Sequence, residues 1–309
     1  MLDTINMDIK REFLDIKKLN EIFTKLTFKV DSTYSRGNSS TYFNDKIHFT
    51  LTSTKLRISL SLAKYYQGNN LNTLTYMENL TAIDSLCNHF DLPFQHAIIR
   101  RVDLAHNFNM ELPVRHYLNM LVKPCSKINE IIYPNESRYF QTHCETLCFY
   151  DKKEELSKKD KNLFKSYKHE HILRYEMRIK PKVKFLKAVN LSVLTIKDLF
   201  NKNVFNALLS EWLSGYLDIL KIKLPIISHQ NISTVKKIKE YSMIHWINHI
   251  GGIEKLVTEI NLAKLSPKAK FDLKLCLSRL GKTVKTEETD LEKELDSKIL
   301  SFFDNYMAA

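Results

Sequence analysis

Apolar and polar residues alternate along the first part of the chain, and a longer period takes over later. Ile47, Phe49 and Leu51 alternate with their neighbours, a polar Thr52-Ser53-Thr54-Lys55 follows, and Leu56, Ile58, Leu60 and Leu62 alternate again opposite Lys55, Arg57, Ser59 and Ser61. Successive side chains of a strand point to opposite faces, so this pattern predicts a half-buried β-hairpin. Leu2 to Ile9 alternates more loosely. Ile98 to Phe108 and His171 to Lys180 read as longer strands, with short ones around Tyr139 and from Thr146 to Tyr150. Thr75 followed by Glu78 predicts a capping box, opening a helix whose face carries Leu80, Ile83, Leu86 and Phe90 and which ends near Pro93. A second helix begins near Pro113 and carries Tyr117, Met120 and Leu121; the segment with Pro124 and Pro134 reads as a loop, and Lys152 to Lys168 as a lysine-rich connector.

From Leu194 onward the spacing is helical: Leu199, Val204, Leu208, Trp212 and Ile219, then residues 235–249 and 253–260. Ser266-Pro267 is a helix start, Gly281 a stop, and Thr286 to Tyr306 a charged amphipathic helix. Strands followed by helices predict an α+β fold. Its expected parts are an antiparallel-sheet domain over residues 1–190, a helical DNA- or partner-binding domain over 191–284, and a C-terminal helical tail over 285–309.

Composition narrows this picture in three ways. With six glycines and seven prolines in 309 residues, long disordered linkers are not expected. No apolar run is long enough to cross a bilayer, and Met1-Leu2-Asp3-Thr4 lacks the basic and apolar regions of a signal peptide, so a cytoplasmic protein without a membrane partner is expected. Five scattered cysteines predict free thiols in a reducing compartment; Cys144 and Cys148 are close, but no further pair at zinc-site spacing accompanies them.

The net charge of +12 is unevenly placed. Lys152 to Lys187 holds thirteen Lys and Arg against five Asp and Glu, two thirds of the whole excess. A concentrated basic surface suits a phosphate backbone, whereas a surface chosen only for solubility has no need to be so focused.

Two strands carry unusual polar faces. Arg101, Asp103 and Ala105 share one face of their strand; Arg174, Glu176, Arg178 and Lys180 share one face of theirs, opposite Leu173, Tyr175, Met177 and Ile179. A carboxylate in mid-strand is costly unless paired or bound to a metal. On one sheet surface, Asp103 and Glu176 would hold Mg²⁺ or Mn²⁺ through oxygen, with Arg174 and Arg178 binding phosphate; a salt-bridged outer face is the competing reading. Tyr139, in Ser137-Arg138-Tyr139-Phe140-Gln141-Thr142, carries an oxygen able to attack a phosphodiester, although a tyrosine is by default a packing residue. His169 and His171 lie on one strand face, but His171 is in phase with Leu173 and Tyr175 and so away from Glu176.

At these residues the chain resembles the gene II/X family of filamentous-phage and plasmid replication proteins and, more distantly, the staphylococcal-type rolling-circle plasmid initiators. The resemblance is carried by Met1-Leu2-Asp3-Thr4-Ile5, the element from Leu62 through Tyr65-Tyr66-Gln67-Gly68-Asn69-Asn70 to Leu71, Arg101-Val102-Asp103-Leu104, Tyr150-Asp151-Lys152-Lys153-Glu154-Glu155-Leu156 and Leu173-Arg174-Tyr175-Glu176-Met177-Arg178. These elements occur in the family's order over roughly residues 1 to 190. The resemblance implies nicking of one origin strand, covalent attachment to its 5′ end and later rejoining. It assigns the nucleophile to Tyr139, with Tyr133 the nearest competitor, metal ligation to Asp103 and Glu176, and a place beside the phosphate to Lys152. Where the family often shows a small or glycine-containing stretch after the tyrosine, this chain has Phe140-Gln141-Thr142.

Two functions follow as expectations. In the first, a nicking-joining initiator uses Tyr139, Lys152, Arg174 and Arg178 for chemistry and Asp103 and Glu176 for metal, while Arg101, Lys153, Lys158, Lys159, Lys165, Lys168 and Lys180 hold origin DNA. Host helicase or polymerase would be further partners. In the second, a non-catalytic origin-binding initiator or repressor reads duplex DNA with its C-terminal helices and needs neither tyrosine nor metal.

Overall fold

The computed structural model describes residues 1–25, 40–43, 46–122, 128–133, 135–159, 161–167, 170–221, 234–250, 252–283 and 289–308. Its centre is an antiparallel sheet. Strands β1 (Leu2–Lys10), β2 (Ser40–Phe43), β3 (Ile47–Leu51), β4 (Lys55–Ser61) and β5 (Ile98–Met110) come first. A short β6 (Leu121–Val122) precedes β7 (Asn129–Tyr133), β8 (Ser137–Gln141), β9 (Glu145–Asp151) and β10 (His171–Ile179). The sheet order is β2-β3-β4-β1-β5-β10-β9-β8-β7, and β6 pairs separately with β11 (Leu220–Lys221). The fold class is therefore α+β, as the alternation predicts.

The expected hairpin is β3–β4, closed by residues 52–54, with Ile47, Phe49, Leu56, Ile58 and Leu60 all buried. Leu2 to Ile9 pairs on both sides, with β4 and with β5. The segment read as loop before Tyr139 contains β7, an edge strand whose Ile131, Ile132 and Tyr133 are exposed. Without a buried face an edge strand has no alternation to reveal it.

The helices in chain order are α1 (Ile16–Lys25), α2 (Leu62–Gln67), α3 (Tyr76–Phe90), α4 (Val114–Met120), α5 (Lys152–Lys159), α6 (Lys161–Ser166), α7 (Val183–Ala188), α8 (Lys202–Leu217), α9 (Val235–His249), α10 (Gly252–Leu262), α11 (Pro267–Thr283) and α12 (Asp290–Ala308). The Thr75 capping box forms: Oγ1 accepts from the Glu78 amide at 3.2 Å, and the Glu78 carboxylate accepts from the Thr75 amide at 2.7 Å. The lysine-rich connector is instead two helices, α5 and α6. Their start is fixed by Asp151, whose carboxylate accepts from the amides of Lys153 and Glu154. α11 runs through Gly281 to Thr283 rather than stopping there.

One face of the sheet is apolar and covered by helices. Tyr175 stacks on Phe149 with ring centres 4.5 Å apart and donates its hydroxyl hydrogen bond to the Trp212 carbonyl of α8 at 2.8 Å. Gly215 permits this close approach, because a Cβ there would lie 3.0 Å from Leu147. Leu295 and Ile299 of α12 are fully buried in the same core. The packing thus does not follow the expected boundaries near residues 190 and 285. Helices α8 and α12 carry apolar stripes that the sheet alone is large enough to cover, and both close its core. Ile244, Ile247, Ile260 and Leu277 of α9–α11 form a small core of their own.

Candidate functional site

The other face of the sheet is polar, and the antiparallel register decides which residues meet on it. Directly paired residues share a face. Tyr139 pairs with Cys148, Cys148 with Glu176, and Glu176 with Ala105, giving one row across four strands. The adjacent row on one side carries Thr146, Arg178 and Asp103, and that on the other carries Ser137, Tyr150, Arg174 and Asn107. Strands far apart in sequence thereby bring together Tyr139, Glu176, Asp103, Arg178 and Arg174.

Arg174 is the centre of this face. It is 2 % exposed, and its guanidinium donates to Asp3 at 2.5 Å, to the Asn70 carbonyl at 3.1 Å, to the Asn107 side chain at 3.2 Å and to Glu176 at 3.4 Å. Lys152 is 1 % exposed and donates to Glu155 at 2.6 Å and to Asn70 at 2.9 Å. Neither presents its charge to solvent, so both act as the frame of the site rather than as phosphate ligands. Burial would displace these charges' equilibria, and the partners decide the direction. Burial and then the neighbouring Arg174 charge lower the Lys152 pKa. Burial raises that of Asp3, yet Arg174, the Ser61 hydroxyl and Lys152 together hold it below the usual carboxylate value.

The carboxylates meant for a metal are both buried and both already bonded. Arg101 donates to the two oxygens of Asp103 at 2.7 and 2.5 Å. Glu176 accepts from Arg178 at 2.7 Å through one oxygen, and from Arg174 and the Tyr150 hydroxyl, at 3.3 Å, through the other. A divalent cation would meet guanidinium groups at every oxygen of the pair. Among the described residues no group of three or more His, Cys, Asp or Glu converges as a metal site would. As arranged, these donors do not fit a divalent ion.

Tyr139 stands at the open side of the same face. A cleft of about 230 Å³ is lined by Tyr139, Tyr150, Arg178, Glu136, Glu154 and Lys158, among others. The Tyr133 ring lies edge-on to that of Tyr139, with centres 5.9 Å apart. Arg178 lines the cleft while bonded to Glu176, so a cation faces any anion that enters.

Of the residues expected to bind DNA, Lys165 and Lys180 are exposed and Lys153 is half-buried. Lys158 pairs with Glu136 at 2.9 Å and Lys159 with Glu155 at 2.8 Å, so part of the basic surplus is spent on the chain's own acids. Arg101 is committed to Asp103, and Lys168 lies outside the described residues. The residues that reasoning from sequence missed are Tyr150, Asp3, Asn70 and Glu155. Each sits within a quoted motif, but nothing in its spacing reveals that it closes a buried ion network. Cys87, Cys144, Cys148 and Cys276 are free thiols, as the cysteine spacing predicts.

Burial, reinforced by the charge of Glu176 and opposed by Arg101, pushes Asp103 up to about 6. Its folded value thus lies above the unfolded one, and the native state holds a proton between about pH 4 and 6 that the unfolded chain has released. Stability falls as pH rises through that window. The stability of Asp103→Asn, which cannot ionise, should rise relative to that of the native protein by about 3 kcal/mol across this window. Urea unfolding of both proteins from about pH 4 to 7 measures this; a difference independent of pH would remove the proposed burial penalty.

A family model describing the N-terminal part of a phage replication-associated protein of the gene II type matches residues 1–202. That span contains the whole sheet and every residue of the polar face. No curated protein matches the chain.

Proposed function

We propose that this chain, which belongs to the gene II-type family of phage replication-associated proteins, cuts and rejoins one strand of a phage or plasmid origin with Tyr139 as nucleophile. Its role in replication follows from the family; the chemistry is our reading of the site. The observation that supports it most is the row joining Tyr139, in an open cleft with Arg178, to buried Glu176, with buried Asp103 in the adjacent row.

In this reading the Tyr139 oxygen attacks phosphorus, a tyrosyl–phosphate bond forms and the bond from phosphorus to the 3′ oxygen breaks. The phenolic proton is lost to a base and the departing 3′ oxygen gains one, leaving a 3′ hydroxyl able to prime synthesis. Rejoining reverses these steps. Arg178 faces the charge that builds on the phosphate oxygens, while Glu176 and Asp103 fix Arg178 and Arg101 in place. No step is drawn through Mg²⁺ or Mn²⁺. The expected ion would have to displace Arg101 or Arg178, the two partly exposed arginines of the network, and nicking with and without a chelator tests that requirement.

The deciding experiment incubates the protein with supercoiled carrier DNA and looks for open circles with protein on the 5′ end. Tight binding without a covalent product would favour the non-catalytic initiator. The C-terminal helices, rich in lysine, are then candidates for contacts with duplex or with host helicase or polymerase. The reaction would take place in the bacterial cytoplasm; among the described residues no helix is long and apolar enough to cross a membrane.

Exposed Lys165 and Lys180, with half-buried Lys153, imply binding dominated by phosphate contacts. If about six phosphates are engaged, affinity for DNA should fall roughly a thousandfold between about 50 and 200 mM salt. Fluorescence titrations at several salt concentrations give the slope, and a flat dependence would remove these lysines from the interface.

A further inference from the structure

A second cleft, of about 520 Å³, opens where β5 runs past the end of its pairing with β1. That pairing ends at Leu2 opposite Leu104. Along the free edge lie residues 71–75 instead, held by Asn107, whose amide donates to the carbonyls of Asn70 at 3.0 Å and Leu71 at 2.7 Å. His106 and Thr73 share a hydrogen bond of 2.6 Å. Helix α12, Tyr167 and Glu170 close the other sides.

The lining is aromatic and amide-rich. Tyr167, Phe302 and Tyr306 contribute rings, and Asn72, Asn109 and Asn305 contribute side-chain amides with no hydrogen bond among the described residues. Phe302 is held flat against His106, ring centres 3.7 Å apart, and burial keeps that imidazole neutral, with a pKa of about 3. Among the described residues no lysine or arginine lines the cleft, and Glu170 does. This lining suits an uncharged planar group with hydrogen-bonding edges better than a phosphate. Aromatic faces stack bases, and free amides pair with base edges.

We infer that this cleft holds one unpaired nucleobase of the strand on which Tyr139 acts, an inference that rests on the function proposed above. Asn107, Asn109 and Ile172 of the cleft are in phase with Asp103 and Glu176, and His106 is in phase with Leu104 and Phe108, so the cleft lies at the β5 edge, bordered by the polar face on one side and by α12 on the other. Tyr139 lies three strands across and four residues along from Asn109, about 20 Å by sheet spacing, a reach of a few nucleotides. Lys161 and Lys165 of α6, the helix leading to Tyr167, are exposed and would take the flanking phosphates. Arg174 bonds both Asn107 and Glu176, tying the cleft to the reacting row.

The test uses the full chain and a single-stranded oligonucleotide carrying 5-iododeoxyuridine, irradiated and digested to locate the cross-links. Adducts are expected on Tyr167, Phe302 or Tyr306. In parallel, Asn72→Ala with Asn305→Ala, both at exposed positions, should weaken binding of oligodeoxyadenylate about tenfold. Strong binding with adducts only elsewhere, or with unchanged affinity in the variant, overturns the base site and leaves the nicking reading standing. Adducts in the cleft without any covalent tyrosyl product keep the base site and sink the tyrosine chemistry. A protein that binds no single-stranded DNA sinks both.

Discussion

Tyr139→Phe should lose nicking by at least about 10⁴-fold while binding DNA as before. Removing a nucleophile leaves only the acceleration that positioning and charge supply, and such losses commonly reach 10⁴ to 10⁶. The substitution deletes one oxygen, and among the described residues that oxygen has no hydrogen bond. No buried partner is orphaned, and stability should stay within about 0.5 kcal/mol. The remaining ring still packs edge-on to Tyr133. A denaturing gel of labelled origin DNA reports the covalent complex directly. If the complex persists in Tyr139→Phe, the nucleophile moves to Tyr133, which is 55 % exposed and close enough to enter the same cleft.

Arg174→Met should destabilise the fold by about 3 to 5 kcal/mol. The guanidinium is buried and serves two buried carboxylates, so its removal leaves Asp3 and Glu176 without their shared cation. Against a total stability of about 5 to 15 kcal/mol, that is a large share. Glu176 would keep Arg178, but Asp3 would keep only the Ser61 and Asn70 side chains as hydrogen-bond donors. Combining Arg174→Met with Asp3→Asn should therefore recover part of the loss, since the second change removes the orphaned charge. Denaturant unfolding of the single and double variants measures the coupling. A single-variant loss under about 1 kcal/mol would mean that water reaches the network and that Arg174 is not its anchor.

These two residues also mark how far the sequence reaches. Alternation in β3, β4 and β10 announced half-buried strands, because side-chain direction along a strand has a period of two whatever the strand pairs with. The same rule put Arg174, Glu176 and Arg178 on one face and Asp103 with Arg101 on another strand's face. The capping box at Thr75 was readable for a similar reason: its two hydrogen bonds join residues three apart. β7 was not readable, because an exposed edge strand buries neither face. Nor were α5, whose surface is dominated by lysine and glutamate, and α6, six residues long with only Leu163 and Phe164 apolar, since neither carries an apolar stripe.

By itself, then, the sequence determined the fold class, the free thiols and the family, since these rest on local period, on composition and on motifs in order. Only the tertiary structure decided that α8 and α12 belong to the core of the sheet, because burial of a helix face depends on which surface is left to cover it. It also decided that Arg174 and Lys152 face inward. A charged side chain on a polar strand face reads the same whether water or Asp3 and Asn70 lie above it. What lies above is set by β1 and by the segment after α2, brought there by register and not by sequence distance.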